Sequence, residues 1–151
     1  MTTEASGLKL SPYLNVKGAA EAIQFYCEVF GATEMFRLED PTDGRIGHAQ
    51  LRFGDTLMMI SDEYPDFGAL SPVTFGGSPV KLHLSVADVD QTFAKALENG
   101  AMEVRGVKDQ FHGSRSGVLT DPFGHVWHLD TEIEEVSPEE MQRRWSEAGV
   151  A

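Results

Sequence analysis

Apolar residues recur at spacings of four, three and four through Ala19, Ile23, Tyr26 and Phe30, which draws one apolar stripe along a helix. Gly31 follows where a helix ends in a left-handed residue. Ahead of this helix, Leu8–Val16 reads as a strand, with Pro12 marking an edge position or a bulge. Behind it, Thr33–Leu38, Ile46–Phe53 and Thr56–Ser61 read as three strands, separated by turns at Pro41–Gly44 and Gly54–Asp55.

The same order then returns. Val80–Val86 reads as a strand and Asp88 as a helix N-cap. Val89, Phe93, Ala96 and Leu97 form a second apolar stripe that ends at Gly100. Met102–Val107, Gly117–Thr120 and His125–Thr131 are the remaining strands. Asp62–Pro79, rich in Gly, Pro, Ser and Asp, reads as a linker or loop. A last helix is expected over about 137–148, with Ser137 as N-cap, Pro138 in the first turn and Glu140 closing a capping box. Met141 and Trp145 share one face of it, which should dock on the body.

The repetition extends to residue identity. Arg45, Gly47, Phe53 and Gly54 recur as Arg115, Gly117, Phe123 and Gly124 at an offset of 70, and Tyr13–Val16 matches His83–Val86 at the same offset. Phe30-Gly-Ala-Thr-Glu34 resembles Asn99-Gly-Ala-Met-Glu103 at an offset of 69. Ordered matches of this kind indicate a duplication. The expected class is α+β: two tandem βαβββ modules forming cupped mixed sheets with helices outside, plus a C-terminal helix. Module one covers about 8–62, the linker 63–79 and module two about 80–132, within a single domain spanning 1–151. Facing copies would enclose a pocket.

Charge narrows the partners. Twenty-four acidic residues against 12 basic ones give a net charge of −12, which argues against nucleic acid and against anionic membranes. Cys27 is the only cysteine, so no internal disulfide forms, which fits a reducing, cytoplasmic setting. Met1–Leu8 lacks the pattern of a signal peptide, and Thr56–Ser61 is too short to span a bilayer.

Strand parity selects the candidate site. His48, Gln50 and Arg52 share one face of their strand; Lys81, His83 and Ser85 share a face, as do Val126, His128 and Asp130. Tyr13 and His83 hold equivalent repeat positions. Arg115 has a guanidinium suited to carboxylate or phosphate, or to a turn or dimer contact. Phe111–Arg115 reads as a loop at the pocket mouth, where Phe111, with Phe67 and Phe75 of the linker, would give apolar contacts. The candidate ligand-binding set is therefore Tyr13, His48, Gln50, Lys81, His83, Phe111, Arg115 and His128, with no catalytic residue singled out. Trp127, opposite His128, is expected to pack under a helix. There is no phosphate-binding P-loop and no Gly-x-Ser-x-Gly elbow, and Cys27 within helix one reads as structural.

Pro12-Tyr-Leu-Asn-Val16, Ala22-Ile-Gln-Phe-Tyr26, Phe30-Gly-Ala32, Gly113-Ser-Arg-Ser-Gly117 and Asp121-Pro-Phe-Gly-His125 together resemble the glyoxalase/bleomycin resistance/dioxygenase (vicinal oxygen chelate) superfamily, nearest its PhnB-like subgroup. The resemblance runs from about Leu8 to Arg144. It implies paired βαβββ modules, commonly a homodimer, and either metal-dependent enzymes or metal-free binding proteins. The superfamily's metal-ligand positions fall on Ser11, about Met58, Lys81 and His128. Of these only His128 suits a borderline divalent ion. The expectation is therefore a small-molecule-binding protein without a metal cofactor. One alternative is a lyase, isomerase or dioxygenase holding one divalent metal ion through a shifted set such as His48, His83 and His128. Another is a non-catalytic dimeric interaction module.

Overall fold

The structure is a computed structural model and describes residues 7–148. These fall into two compact units, the first ending at Phe75 and the second beginning at Gly76. Each unit repeats strand, helix, three strands.

In the first unit, β1 (Tyr13–Val16) is followed by helix α1 (Ala19–Phe30), then β2 (Thr33–Glu39), β3 (Ile46–Phe53) and β4 (Thr56–Asp62). The sheet order is β1-β4-β3-β2. β1 runs parallel to β4, and β3 is antiparallel to both its neighbours. Alternation sorts the side chains: Leu14, Val16, Ala49, Leu51, Met58 and Ile60 are buried together with Ala22, Ile23 and Tyr26 of α1. Asp62, at the end of β4, accepts the backbone N–H of Gly18 and Ala19 on one carboxylate oxygen and that of Ile46 on the other. It thereby satisfies donors at the start of α1 that have no helical partner. At the other end Gly31 adopts the left-handed conformation (φ 81°) that a non-glycine residue would resist.

The second unit has β5 (Lys81–Ser85), then helix α3 (Val89–Glu98), β6 (Met102–Asp109), β7 (Ser114–Thr120) and β8 (Val126–Glu132), in the order β5-β8-β7-β6. Val89, Phe93 and Ala96 of α3 are buried, as are Leu119, Trp127 and Leu129 of the sheet. Trp127 thus lies on the helix side, where its indole N–H donates to the buried carboxylate of Asp121 (2.9 Å). The duplication persists at the helix start, since Val89 N–H donates to the side chain of Thr131, near the end of β8. Asp88 caps α3 through Gln91 N–H. A C-terminal helix α4 (Pro138–Ala148) begins with Ser137 accepting Glu140 N–H.

Several boundaries differ from expectation. The first strand begins at Tyr13, not Leu8; Leu8 and Leu10 are almost fully exposed, and Pro12 C=O accepts the Met59 N–H of the neighbouring strand. β2 and β6 run on to Glu39 and Asp109. β7 begins at Ser114 rather than Gly117, because Ser114–Ser116 pairs with Thr131 and its neighbours on β8 despite a loop-like composition. The linker holds a 3-10 turn (Pro65–Phe67) and a short helix α2 (Pro72–Phe75). α4 buries no side chain. It is fastened instead by Arg144, which donates to Phe111 C=O, Glu134 and Glu140, and by the Trp145 ring 6.0 Å from that of Phe111.

The repeat also drifts along the chain. His83 pairs with His128 and His128 with Val118, while Tyr13 pairs with Met59 and Met59 with Gln50. The offsets are therefore 83 − 13 = 70, 128 − 59 = 69 and 118 − 50 = 68. The Arg45/Arg115 match at 70 is out of structural register by two residues.

Candidate functional site

The face of the first sheet opposite α1 carries a cavity of about 720 Å³. Tyr13 and Asn15 of β1, Leu38 and Glu39 of β2, Gly47 and His48 of β3 and Ser61 of β4 form its floor, and Asp40, Tyr64 and Phe67–Ala69 form its rim. A polar chain crosses the floor. Tyr13 Oη lies 2.8 Å from His48 Nδ1, and Gln50 Nε2 lies 3.4 Å from His48 Nε2. The imidazole sits between the rings of Tyr13 (centroids 5.5 Å apart) and Phe36 (5.8 Å). Beside it Asn15 donates to Ser61 Oγ (2.7 Å), which in turn donates to Asp62 C=O.

The rim is fixed by charge. Tyr64 donates its hydroxyl to Asp40 (2.9 Å), whose other carboxylate oxygen accepts from Thr42. The hydrogen bonds from Thr42 and Tyr64 hold the Asp40 carboxyl below the usual range. Burial and the neighbouring Asp40 push the Tyr64 phenol up. The Arg45 guanidinium stacks over the Tyr64 ring at 3.9 Å while pairing with Asp43. The chain after Tyr64 is held by Glu63, which accepts Ser71 N–H (2.6 Å) and the Thr74 hydroxyl (2.5 Å). Those two donors pull its carboxyl down to about 2.

The second unit has a smaller cavity of about 370 Å³, lined among others by His83, His112, Ser114, Asp130, Glu132 and Met141. Asp130, buried, accepts the hydroxyls of Ser85 (2.7 Å) and Ser114 (3.0 Å) and lies 3.3 Å from His83 Nε2. Burial pushes its carboxyl up, but those donors and His83 outweigh it and leave the group more acidic than usual. His128 packs edge-on to His83, ring centroids 5.0 Å apart, and its Nε2 is buried with no hydrogen-bond partner. Burial first, then His83 and Arg105, hold the imidazole below its ordinary value. It is therefore a neutral ring at neutral pH.

The expected residues divide accordingly. Tyr13 and His48 meet in the first cavity, with Gln50 against the histidine. His83 lines the second, with His128 edge-on against it. Lys81, Phe111 and Arg115, like Gln50 and His128, are outside the two linings. Arg115 has its guanidinium engaged by Asp90 and Asp109 and lines neither cavity. Phe111 meets His112 edge-on and Trp145 at a tilt, and lines neither cavity. Lys81, exposed at the start of β5, lies outside both linings. Phe67 does reach the first cavity; Phe75 does not. Asn15, Ser61, Glu39, Asp40 and Tyr64 were not singled out. The first two follow by parity and pairing from Tyr13, while the rim has no sequence signal beyond its place in a Gly/Pro-rich stretch.

The donors do not fit the superfamily's metal centre. Met58 is 2% exposed in the core, and the position equivalent to His128 is Met59, a soft thioether. Ser11 lies outside the strand and Lys81 is cationic. His48 belongs to the first unit, His83 and His128 to the second. Among the described residues no group of three or more His, Cys, Asp or Glu side chains is arranged to hold a metal ion.

Comparison with known proteins agrees with this architecture. A family profile described as the Glyoxalase/Bleomycin resistance protein/Dioxygenase superfamily matches residues 9–129. Relatives include an uncharacterized protein of Mycobacterium bovis, 43% identical over 143 residues and covering 93% of both chains. An uncharacterized Arabidopsis thaliana protein is 29% identical over 115 residues, 71% of this chain and 68% of its own. Among solved structures, a Pseudomonas aeruginosa protein matches with a TM-score of 0.68 and 26% identity over 84% of this chain and 99% of its own. A PhnB protein from Bacillus cereus shares the fold with a TM-score of 0.67 at 18% identity, over 82% and 99%. Two βαβββ units in order, and a profile match across most of their length, place this chain in the glyoxalase/bleomycin resistance protein/dioxygenase superfamily.

Proposed function

We propose that the protein binds a small organic molecule in the cavity of its first unit, using hydrogen bonds and ring contacts rather than the superfamily's four-ligand metal centre. The observation that supports this reading most directly is the hydrogen-bonded Tyr13–His48 pair on the floor of a cavity of about 720 Å³, with Gln50 against the other imidazole nitrogen. That volume suits a drug-sized ligand, for which pockets run from roughly 300 to 1,000 Å³. The lining mixes apolar surface from Leu38 and Phe67 with a few fixed polar groups, the usual recipe for orientation plus affinity. Superfamily members often bind small molecules and form dimers, which supports a homodimer as the working form, and the single cysteine fits a reducing, cytoplasmic setting.

The test is native mass spectrometry of the purified protein for a co-purifying molecule, followed by ligand-observed NMR against a fragment library. Fragments that bind in excess EDTA, shift the His48 ring protons and lose affinity in His48→Ala are expected. A library without a single binder, or binding that vanishes with EDTA, would count against the reading.

A further inference from the structure

The signs of the side chains around the first cavity narrow what it takes. Its lining contains two carboxylates, Glu39 and Asp40, and no lysine or arginine. Asp40 is held ionised by Thr42 and Tyr64. Glu39 makes no ion pair among the described residues. The nearby cations are already committed: Arg37 is bonded through two nitrogens to Glu34, and Arg45 to Asp43 and Glu63 C=O. An anion entering here would meet carboxylates with no counter-charge in the lining.

Aromatic faces supply the second half of the argument. Tyr13, Tyr64 and Phe67 line the same space as the two acids. A ring face carries negative potential and attracts an organic cation, most strongly when water is partly excluded. One face of Tyr64 already does so, with the Arg45 guanidinium 3.9 Å from the ring centroid. Aromatic walls with carboxylates at the rim make up the usual receptor chemistry for alkylammonium groups.

We infer that the cavity of the first unit selects an organic cation, a quaternary or protonated alkylammonium group on an apolar body, held among Tyr13, Tyr64 and Phe67 with the carboxylates of Glu39 on the floor and Asp40 on the rim. This rests on the proposed small-molecule role of the same cavity and adds the charge of the ligand.

The probes are benzyltrimethylammonium, its neutral isostere neopentylbenzene, and benzylsulfonate, titrated into the full chain and followed by the His48 ring protons and the Gly47 amide. The cation is expected to bind at least about tenfold more tightly than the isostere. That preference should shrink several-fold in Glu39→Gln and in Tyr64→Leu. Glu39 is exposed, so its variant keeps the fold, checked by unchanged amide shifts in α1. Equal binding of cation and isostere, or preference for the sulfonate, overturns the charge assignment and leaves the pocket reading intact. Failure of all three to shift His48 overturns both.

Discussion

Tyr13 and His48 lie on one face of the first sheet, on β1 and β3 to either side of β4, and their 2.8 Å contact is the shortest hydrogen bond between side chains on the cavity floor after Asn15–Ser61. Tyr13 is half exposed, so Tyr13→Phe should leave the denaturation midpoint nearly unchanged, because surface substitutions stay within about 0.5 kcal/mol. Fragments that shift His48 should weaken about five- to tenfold, a loss of roughly 1 kcal/mol for one hydrogen bond. A large loss of stability with no loss of binding would make the pair structural. His128 gives a pH prediction. Its imidazole is depressed by burial, His83, Arg105 and His112, and only Asp130 opposes them. The unfolded chain therefore binds a proton that the native chain resists. The resulting stability is present above the ordinary value of 6.5 and is lost as pH falls through and below it. Urea midpoints at pH 7.5 and 5.5 should fall further in the wild type than in His128→Leu. Equal falls would mean that this ring does not govern the slope. His48 and His128 were legible in the sequence from strand parity, and Tyr13 from its repeat position. Their partners were less so: that Arg115 would spend its charge on Asp90 and Asp109 depends on where α3 brings Asp90 beside β7, a tertiary fact.

Helices and strands were the clearest part of the sequence because each has one apolar face with its own period. α1 buries the stripe read from Ala19, Ile23 and Tyr26, and β1 and β5 alternate along their length, whereas β7 is buried continuously from Ser116 to Leu119. Errors fell where pairing overrode composition. Phe111–Arg115 reads as a loop, yet Ser114 onward lies in β7, and Gly117 is there because a Cβ would stand 2.8 Å from the Phe93 ring and 3.1 Å from Arg105 C=O. Gly117→Ala should therefore push α3 from its sheet. Overpacking of this kind typically costs about 1–3 kcal/mol, readable as a lower guanidinium midpoint, and no change would mean that Phe93 moves freely. The segment after β4 was read as a linker, and its fastening through Glu63 was invisible because it needs Ser71 and Thr74 eight and eleven residues away. Glu63→Gln weakens two charge-assisted bonds, so proteolysis between Tyr64 and Phe75 should accelerate while the sheet cores stay protected. With the carboxyl at about 2, below the ordinary 4.5, this tether is present above 4.5 and fails only as pH approaches 2.

At the scale of the molecule the repeated unit explains both what was legible and what was left open. Duplication was visible because β1 and β5 keep matching residues, and it blurred because two residues are lost by β7 and one is regained by β8. A four-stranded sheet with one helix has one covered face, and it also has edges. β1 and β5 each pair with one strand only. The segment entering β1 carries Leu8 and Leu10, 86% and 94% exposed, and Val80 ahead of β5 is 62% exposed. Apolar side chains clustered beside unpaired strand edges invite a partner copy. A homodimer that buries this segment should sediment at about twice 16.6 kDa at micromolar concentration. Replacing Leu8 and Leu10 by Glu together should return it to a monomer with its circular dichroism unchanged, because neither side chain belongs to a core in the chain itself. A wild type that sediments as a monomer excludes the dimer outright. A dimer untouched by the double variant places the interface elsewhere, on the exposed Met102 and Val104 of the opposite edge strand, β6.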